Sequence, residues 1–129
     1  MGKIGRFEKI EAWQKARFLV KKVYLVCRIE SYRKDYNLLD QTRGAPVSIM
    51  ANIAEGFARR TNKEFINFLG MSHGSAPELQ SHFYVALDQQ YLSKEDFHAL
   101  YHITEEVSKM IQGFSNYLKN SSTPKLLNS

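Results

Sequence analysis

The sequence predicts an all-α protein, an antiparallel up-down four-helix bundle that self-associates. Apolar residues recur at three- and four-residue steps through four long segments, the period of an amphipathic helix. Capping signatures and polar breaks separate those segments. No stretch shows strand-like alternation, and there is no internal repeat. At 129 residues, 43% apolar and 24% charged, the chain is one domain able to bury a core without disulfides or metals. The bundle is expected over residues 1–119, with a frayed tail over 120–129.

The first helix is expected over residues 7–30, where Trp13, Ala16, Val20, Val23 and Cys27 form one inward face. Polar residues 31–37 then break the pattern. The second helix covers 38–59, with Leu39, Thr42, Ala45, Ile49, Ile53 and Phe57 inward. Pro46 removes a backbone donor and crowds the preceding turn, so a kink or restart is expected near 44–46. Thr61 and Glu64 make a capping box that opens the third helix, running to about residue 90. Its inward set is Phe65, Phe68, Leu69, Ser72, Ala76, Leu79, Phe83, Ala86 and Leu87, and Pro77 predicts another kink. Ser93 caps the fourth helix, which buries Phe97, Leu100, Thr104, Val107, Ile111, Phe114 and Leu118. Four long helices with short connections imply up-down topology.

Charge is unevenly placed. Residues 1–34 hold ten Lys/Arg and three Glu, a net of +7, whereas the remaining 95 residues carry a net of −2. A basic N-terminal third on a near-neutral body suits a polyanion partner, most often nucleic acid, or else it is a solvated face that aids solubility. Lys15 and Lys22 share one face of the first helix, and Arg17, Lys21 and Arg28 share another. Arg59, Arg60 and Lys63 form a second cluster at the turn between the second and third helices. The many Tyr and Phe residues fall mostly at core spacing and read as packing, not as base-stacking platforms. The single Cys27 excludes an internal disulfide and suits a reducing cytoplasm. The opening residues show no apolar signal region, and no run approaches the length of a membrane span.

Two features predict self-association. Phe18, Leu25 and Ile29 lie together opposite the inward face of the first helix. The third helix has no Lys or Arg between residues 65 and 92, so exposing it is costly. A homo-oligomer covers both.

Small and polar residues sit beside the apolar stripes at two places. Ser48, Asn52, Glu55 and Arg59 form a narrow stripe on the second helix, and Ser75, Glu78 and His82 form one on the third. These stripes are expected to meet each other or a second subunit as a polar network that fixes register. Gly56 and Gly74 would then permit close helix approach. A catalytic carboxylate pair is the sharper alternative, but no activating base or oxyanion arrangement accompanies Glu55 and Glu78. One Glu-x-x-His match, Glu95 to His98, falls short of the two copies and two further glutamates that a di-iron bundle needs. His73, His82, His98 and His102 have no zinc-ligand spacing. There is no phosphate-binding loop, dinucleotide fingerprint or nucleophile elbow. The chain is therefore expected to be no enzyme and to hold no metal or cofactor.

One combination of motifs goes further. Phe7 with Trp13-Gln14-Lys15-Ala16, Asp40-Gln41-Thr42-Arg43-Gly44-Ala45 with Ser48-Ile49, and Ala51-Asn52-Ile53-Ala54-Glu55-Gly56 with Arg59 precede Phe65-Ile66-Asn67-Phe68-Leu69 and Gly74-Ser75-Ala76-Pro77-Glu78-Leu79. In these the chain resembles the bacterial four-helix-bundle family named for the intervening sequence of 23S rRNA genes, over residues 7–118. His73, where the family has a small residue, and Pro46, where it favours Ala or Val, are departures. The resemblance implies a ring-like homopentamer without established enzymatic activity. Related bundle proteins encoded beside diversity-generating reverse transcriptases bind nucleic acid through a basic outer surface and contact the polymerase. By that analogy the chain is expected to be an accessory subunit with RNA or DNA and a reverse transcriptase or another protein as partners. A structural scaffold without nucleic-acid binding is the alternative.

Overall fold

The computed structural model describes residues 4–121. A short 3-10 turn, Phe7–Lys9, leads into α1 (Glu11–Val26). Then come α2 (Glu30–Lys34), α3 (Tyr36–Phe57), α4 (Asn62–Asp88) and α5 (Lys94–Lys119), with no strand among the described residues. The four long helices form the bundle. α3 packs on α4, α4 on α5, and α1 lies between α3 and α5, which puts α1 and α4 on the diagonal. Beyond Ser121 the expected tail lies outside the described residues, as do residues 1–3 of the expected domain.

The core is continuous from end to end. Leu19, Val23, Ile49, Ile53, Phe65, Leu69, Leu79, Phe83, Val107 and Ile111 are fully buried. Each such side chain contributes ~1.5–3 kcal/mol relative to exposure. On α1 the inward stripe is Ala12, Ala16, Leu19, Val23 and Cys27. Trp13 and Val20, expected inward, sit half-buried on its flank. Phe7 meets the Trp13 ring edge-on at 5.1 Å and holds it there, leaving the small Ala12 to face the core.

The first helix also ends earlier than its pattern predicts. Ile29 is extended (φ −57, ψ 130), which separates α1 from α2. The break turns Tyr32 into the core, where it is fully buried. Its hydroxyl donates to Thr42 Oγ1 at 2.8 Å, and Thr42 donates on to the Leu38 carbonyl at 2.7 Å. Residues 31–37 are thus an anchored helical turn rather than a plain polar connection.

The cap signals hold at both expected sites. Thr61 accepts from the Glu64 N–H and Ser93 from the Asp96 N–H. Glu64 reaches back to the Arg60 N–H, one residue beyond the usual partner. α3 has a cap that periodicity did not indicate: Asp35 Oδ1 accepts from the Leu38 N–H, while Oδ2 accepts from the Tyr91 hydroxyl at 3.0 Å. Tyr91 reaches that position because α4 ends in a Schellman motif. The Tyr91 N–H bonds the Ala86 carbonyl, the Gln90 N–H bonds Leu87, and Gln90 adopts a left-handed φ of 63.

Neither proline ends its helix. α3 runs through Pro46 and α4 through Pro77, so the restart expected near 44–46 does not occur. Pro46 is buried, and packing of α3 against both α1 and α4 outweighs an interior-proline cost of ~3 kcal/mol. The helix likewise continues through His73.

Candidate nucleic-acid interface

α1 turns its small and aliphatic residues inward, and at 100° per residue its cations must point out. Arg17, Lys21, Lys22 and Arg28 are exposed, and Lys15 is half-buried at the edge facing α5. The two cation faces expected from spacing flank one outward arc. Lys15 Nζ lies 3.5 Å from Glu106 Oε1 on α5, a partly exposed pair of small energetic weight. Lys21 and Arg28 have no acidic partner among the described residues.

The same arc exposes apolar side chains. Phe18 is 41% exposed, Tyr24 40% and Leu25 51%, with Ile29 beyond the helix end at 36%. Lys15 and Lys22 lie 5.4 and 5.2 Å from the Phe18 ring centre, at i−3 and i+4. Arg43 of α3 lies 6.0 Å from the Tyr24 ring, and Arg17 lies 5.9 Å from Trp13. Phe18 is outward as its spacing predicts, but reading the aromatics mostly as packing missed Tyr24 and missed that both rings are flanked by cations. The lysines three before and four after Phe18 were the available signal.

The second cluster is differently placed. The α3–α4 turn lies at the end of the bundle where the antiparallel α1 begins, away from Arg28. Arg59 is engaged twice, by Glu55 at 2.8 Å and by the Phe68 ring at 4.7 Å. Lys63 is exposed with no acidic partner among the described residues, while the Arg60 backbone N–H is held by Glu64.

The polar stripes do not meet within the chain. Asn52 donates to Ser48, Arg59 pairs with Glu55, Ser75 donates to the Met71 carbonyl, and Glu78 faces His82 at 3.6 Å. Every one of these contacts is local, between residues four apart in the chain. The polar tie that does cross is Ser72, whose hydroxyl donates to the Ile49 carbonyl at 2.9 Å. Gly56 permits close approach: a Cβ there would fall 2.7 Å from Phe68 Cβ and 2.8 Å from Phe65 Cδ1. Gly74, expected to act alike, faces open space.

Among the described residues no cluster of three or more His, Cys, Asp or Glu is placed to hold a metal, and no helix is long and apolar enough to cross a membrane. A cavity of about 850 Å³ between the N-terminal turn and α5 is walled by Ile10, Ala12, Met110, Phe114 and Tyr117. Its lining contains no His, Cys or Ser. Cys27 is a buried free thiol pushed up to about 11 by desolvation, which suppresses the reactive thiolate at neutral pH.

A family model described as 23S rRNA-intervening sequence protein matches residues 8–113. No curated protein matches the chain. Among solved structures, a protein of unknown function from the S23 ribosomal protein family of Bacteroides thetaiotaomicron is similar in fold. It shares 22% identity with a TM-score of 0.73, covering 81% of this chain and 97% of that one.

Proposed function

The chain belongs to the 23S rRNA-intervening sequence protein family, and on that premise we propose that it is a non-catalytic, self-associating helix bundle that binds RNA or DNA through the outward face of α1. The observation that carries this reading is the unpaired charge: Lys21 and Arg28 stand exposed without acidic partners among the described residues, beside Arg17 and Lys22. Exposed cations of this kind attract phosphates without reading sequence. Self-association multiplies a modest charge per chain into a field several-fold stronger. The finer form of the proposal is a cytoplasmic, ring-like homopentamer serving as accessory subunit to a nucleic-acid enzyme such as a reverse transcriptase. The test is fluorescence anisotropy at low salt with generic duplex DNA and structured RNA. The Lys21→Glu/Lys22→Glu/Arg28→Glu variant should fold normally and bind far more weakly. Unchanged affinity in that variant would contradict the proposal.

A second reading, a protein-interaction scaffold, has its own support. Met71, Tyr84 and Val85 lie exposed on α4, a helix without outward cations beyond Lys63, and Phe18, Leu25 and Ile29 lie exposed at the other side. Under that reading Phe18→Glu/Leu25→Glu reduces the solution mass or abolishes partner capture, and nucleic acid is not bound.

A further inference from the structure

We propose that the outward face of α1 takes single-stranded nucleic acid, with bases stacked on Tyr24 and Phe18 and phosphates held by Lys21, Lys22 and Arg28. The inference rests on the nucleic-acid reading above and specifies its ligand. Cations alone serve a duplex, whose bases are already stacked on one another and whose outside is phosphate. Exposed aromatic rings add nothing to that contact. A single strand offers free base faces, and aromatic platforms interleaved with cations are how such strands are held.

Both elements lie on the outward half of α1. Tyr24 and Phe18 are each about two-fifths exposed and six residues apart, hence ~9 Å along the helix axis and ~120° around it, on opposite flanks of that half. Lys21 stands between them and Lys22 beside Phe18, so a strand crosses the helix obliquely from one ring to the other, and Arg28, just past the helix end, extends the track. Tyr24 has a cation beside it in Arg43, which is itself held by Asp40 at 2.9 Å and so braces the ring. Lys15 and Lys22, over Phe18, are placed to transfer from the ring to the phosphates flanking a stacked base. A second copy or other apolar partner seated on Phe18, Leu25 and Ile29 would have to bury Lys21 and Arg28 uncompensated, at high cost, whereas a strand supplies one anion per nucleotide, so self-association is left to the exposed α4 residues Met71, Tyr84 and Val85.

The test compares a labelled homothymidine oligonucleotide with a duplex of equal phosphate count. Wild-type protein should bind the single strand about tenfold more tightly. Phe18→Leu/Tyr24→Leu, which keeps apolar bulk and removes the rings, should weaken single-strand binding about tenfold and leave duplex binding and its salt dependence unchanged. Tyr24→Leu alone, with circular dichroism as the folding control, should give part of that loss. Equal affinity for both probes, or no loss in the leucine variants, would overturn the stacking inference while the phosphate reading survives. Failure of wild-type protein to bind either probe at low salt would remove both.

Discussion

Gly56 and Gly74 look alike in the sequence, each a glycine in a helix beside a polar stripe, yet they are not equivalent. A methyl group at Gly56 would strike Phe68 Cβ and the Phe65 ring, whereas at Gly74 it meets nothing within 4 Å. Gly56→Ala should therefore destabilise the chain by ~1–3 kcal/mol despite better helix propensity. Gly74→Ala should stabilise it by up to ~1 kcal/mol in the isolated subunit, both read from urea midpoints. A Gly74→Ala variant that instead loses stability or solution mass would place a second subunit against that glycine. Cys27 gives a pH prediction. Its thiol titrates at about 11 when folded against 9.0 when free. Below pH 9 the thiol is protonated in both states, so no stability depends on it there. From 9 to 11 only the unfolded state ionises, and stability falls as pH rises. Because Tyr32 and Tyr91 are shifted the same way, by burial and by the Asp35 hydrogen bond respectively, the comparison is with Cys27→Ala. Any stability advantage of wild type over that variant should narrow across this window, and a constant difference would contradict the assignment. The close approach at Gly56 and the inward Cys27 were legible in the sequence; the open space at Gly74 was not, because it depends on where the neighbouring helices lie.

At the scale of elements, long periodic segments were legible and their junctions were not. The inward sets of α3, α4 and α5 follow from apolar spacing except at Phe57, Phe68 and Leu87, which sit half-buried at the edges of their stripes, and the Thr61 and Ser93 caps follow from residue type. The α1–α3 junction was hidden because its determinants are tertiary: Tyr32 bonds Thr42, and Asp35 is fixed by Tyr91, 56 residues away. Asp35→Ala should cost ~1–2 kcal/mol, since it removes the α3 cap and the Tyr91 partner together. A change below a few tenths, measured by thermal or urea unfolding, would mean that the cap is not formed in solution. Gln90 holds the position that glycine usually occupies after a helix, with φ 63. Gln90→Gly should relieve left-handed strain and stabilise by ~1 kcal/mol. A loss of stability would instead show that chain entropy in the unfolded state dominates at this turn.

For the whole molecule, the charge division seen in the sequence becomes a spatial one. α1 carries its cations outward on one side of the bundle, and α4, across the diagonal, carries no Lys or Arg beyond its first turn. Composition revealed the imbalance, and helical spacing gathered the α1 cations correctly. It placed Phe18 outward but could not show that Tyr24 is exposed on the other flank, because an aromatic at the edge of the inward stripe reads equally as packing or platform until the neighbouring helices are placed. Nor could it show that Glu55 and Glu78 face only near neighbours in the chain, Arg59 at 2.8 Å and His82 at 3.6 Å, and not each other. Self-association belongs to this scale. Sedimentation of wild-type protein should give a mass several-fold above 14.9 kDa, and a monomer at all concentrations would refute the oligomer. Phosphate binding by the outward face of α1 is read from the salt dependence of nucleic-acid affinity for wild type and the Lys21→Glu/Lys22→Glu/Arg28→Glu variant. If the α1 face tracks phosphates, log affinity falls linearly with log salt for wild type, and the variant's slope is smaller by ~2–3. Wild type and variant with the same slope, or wild type with none, would contradict it.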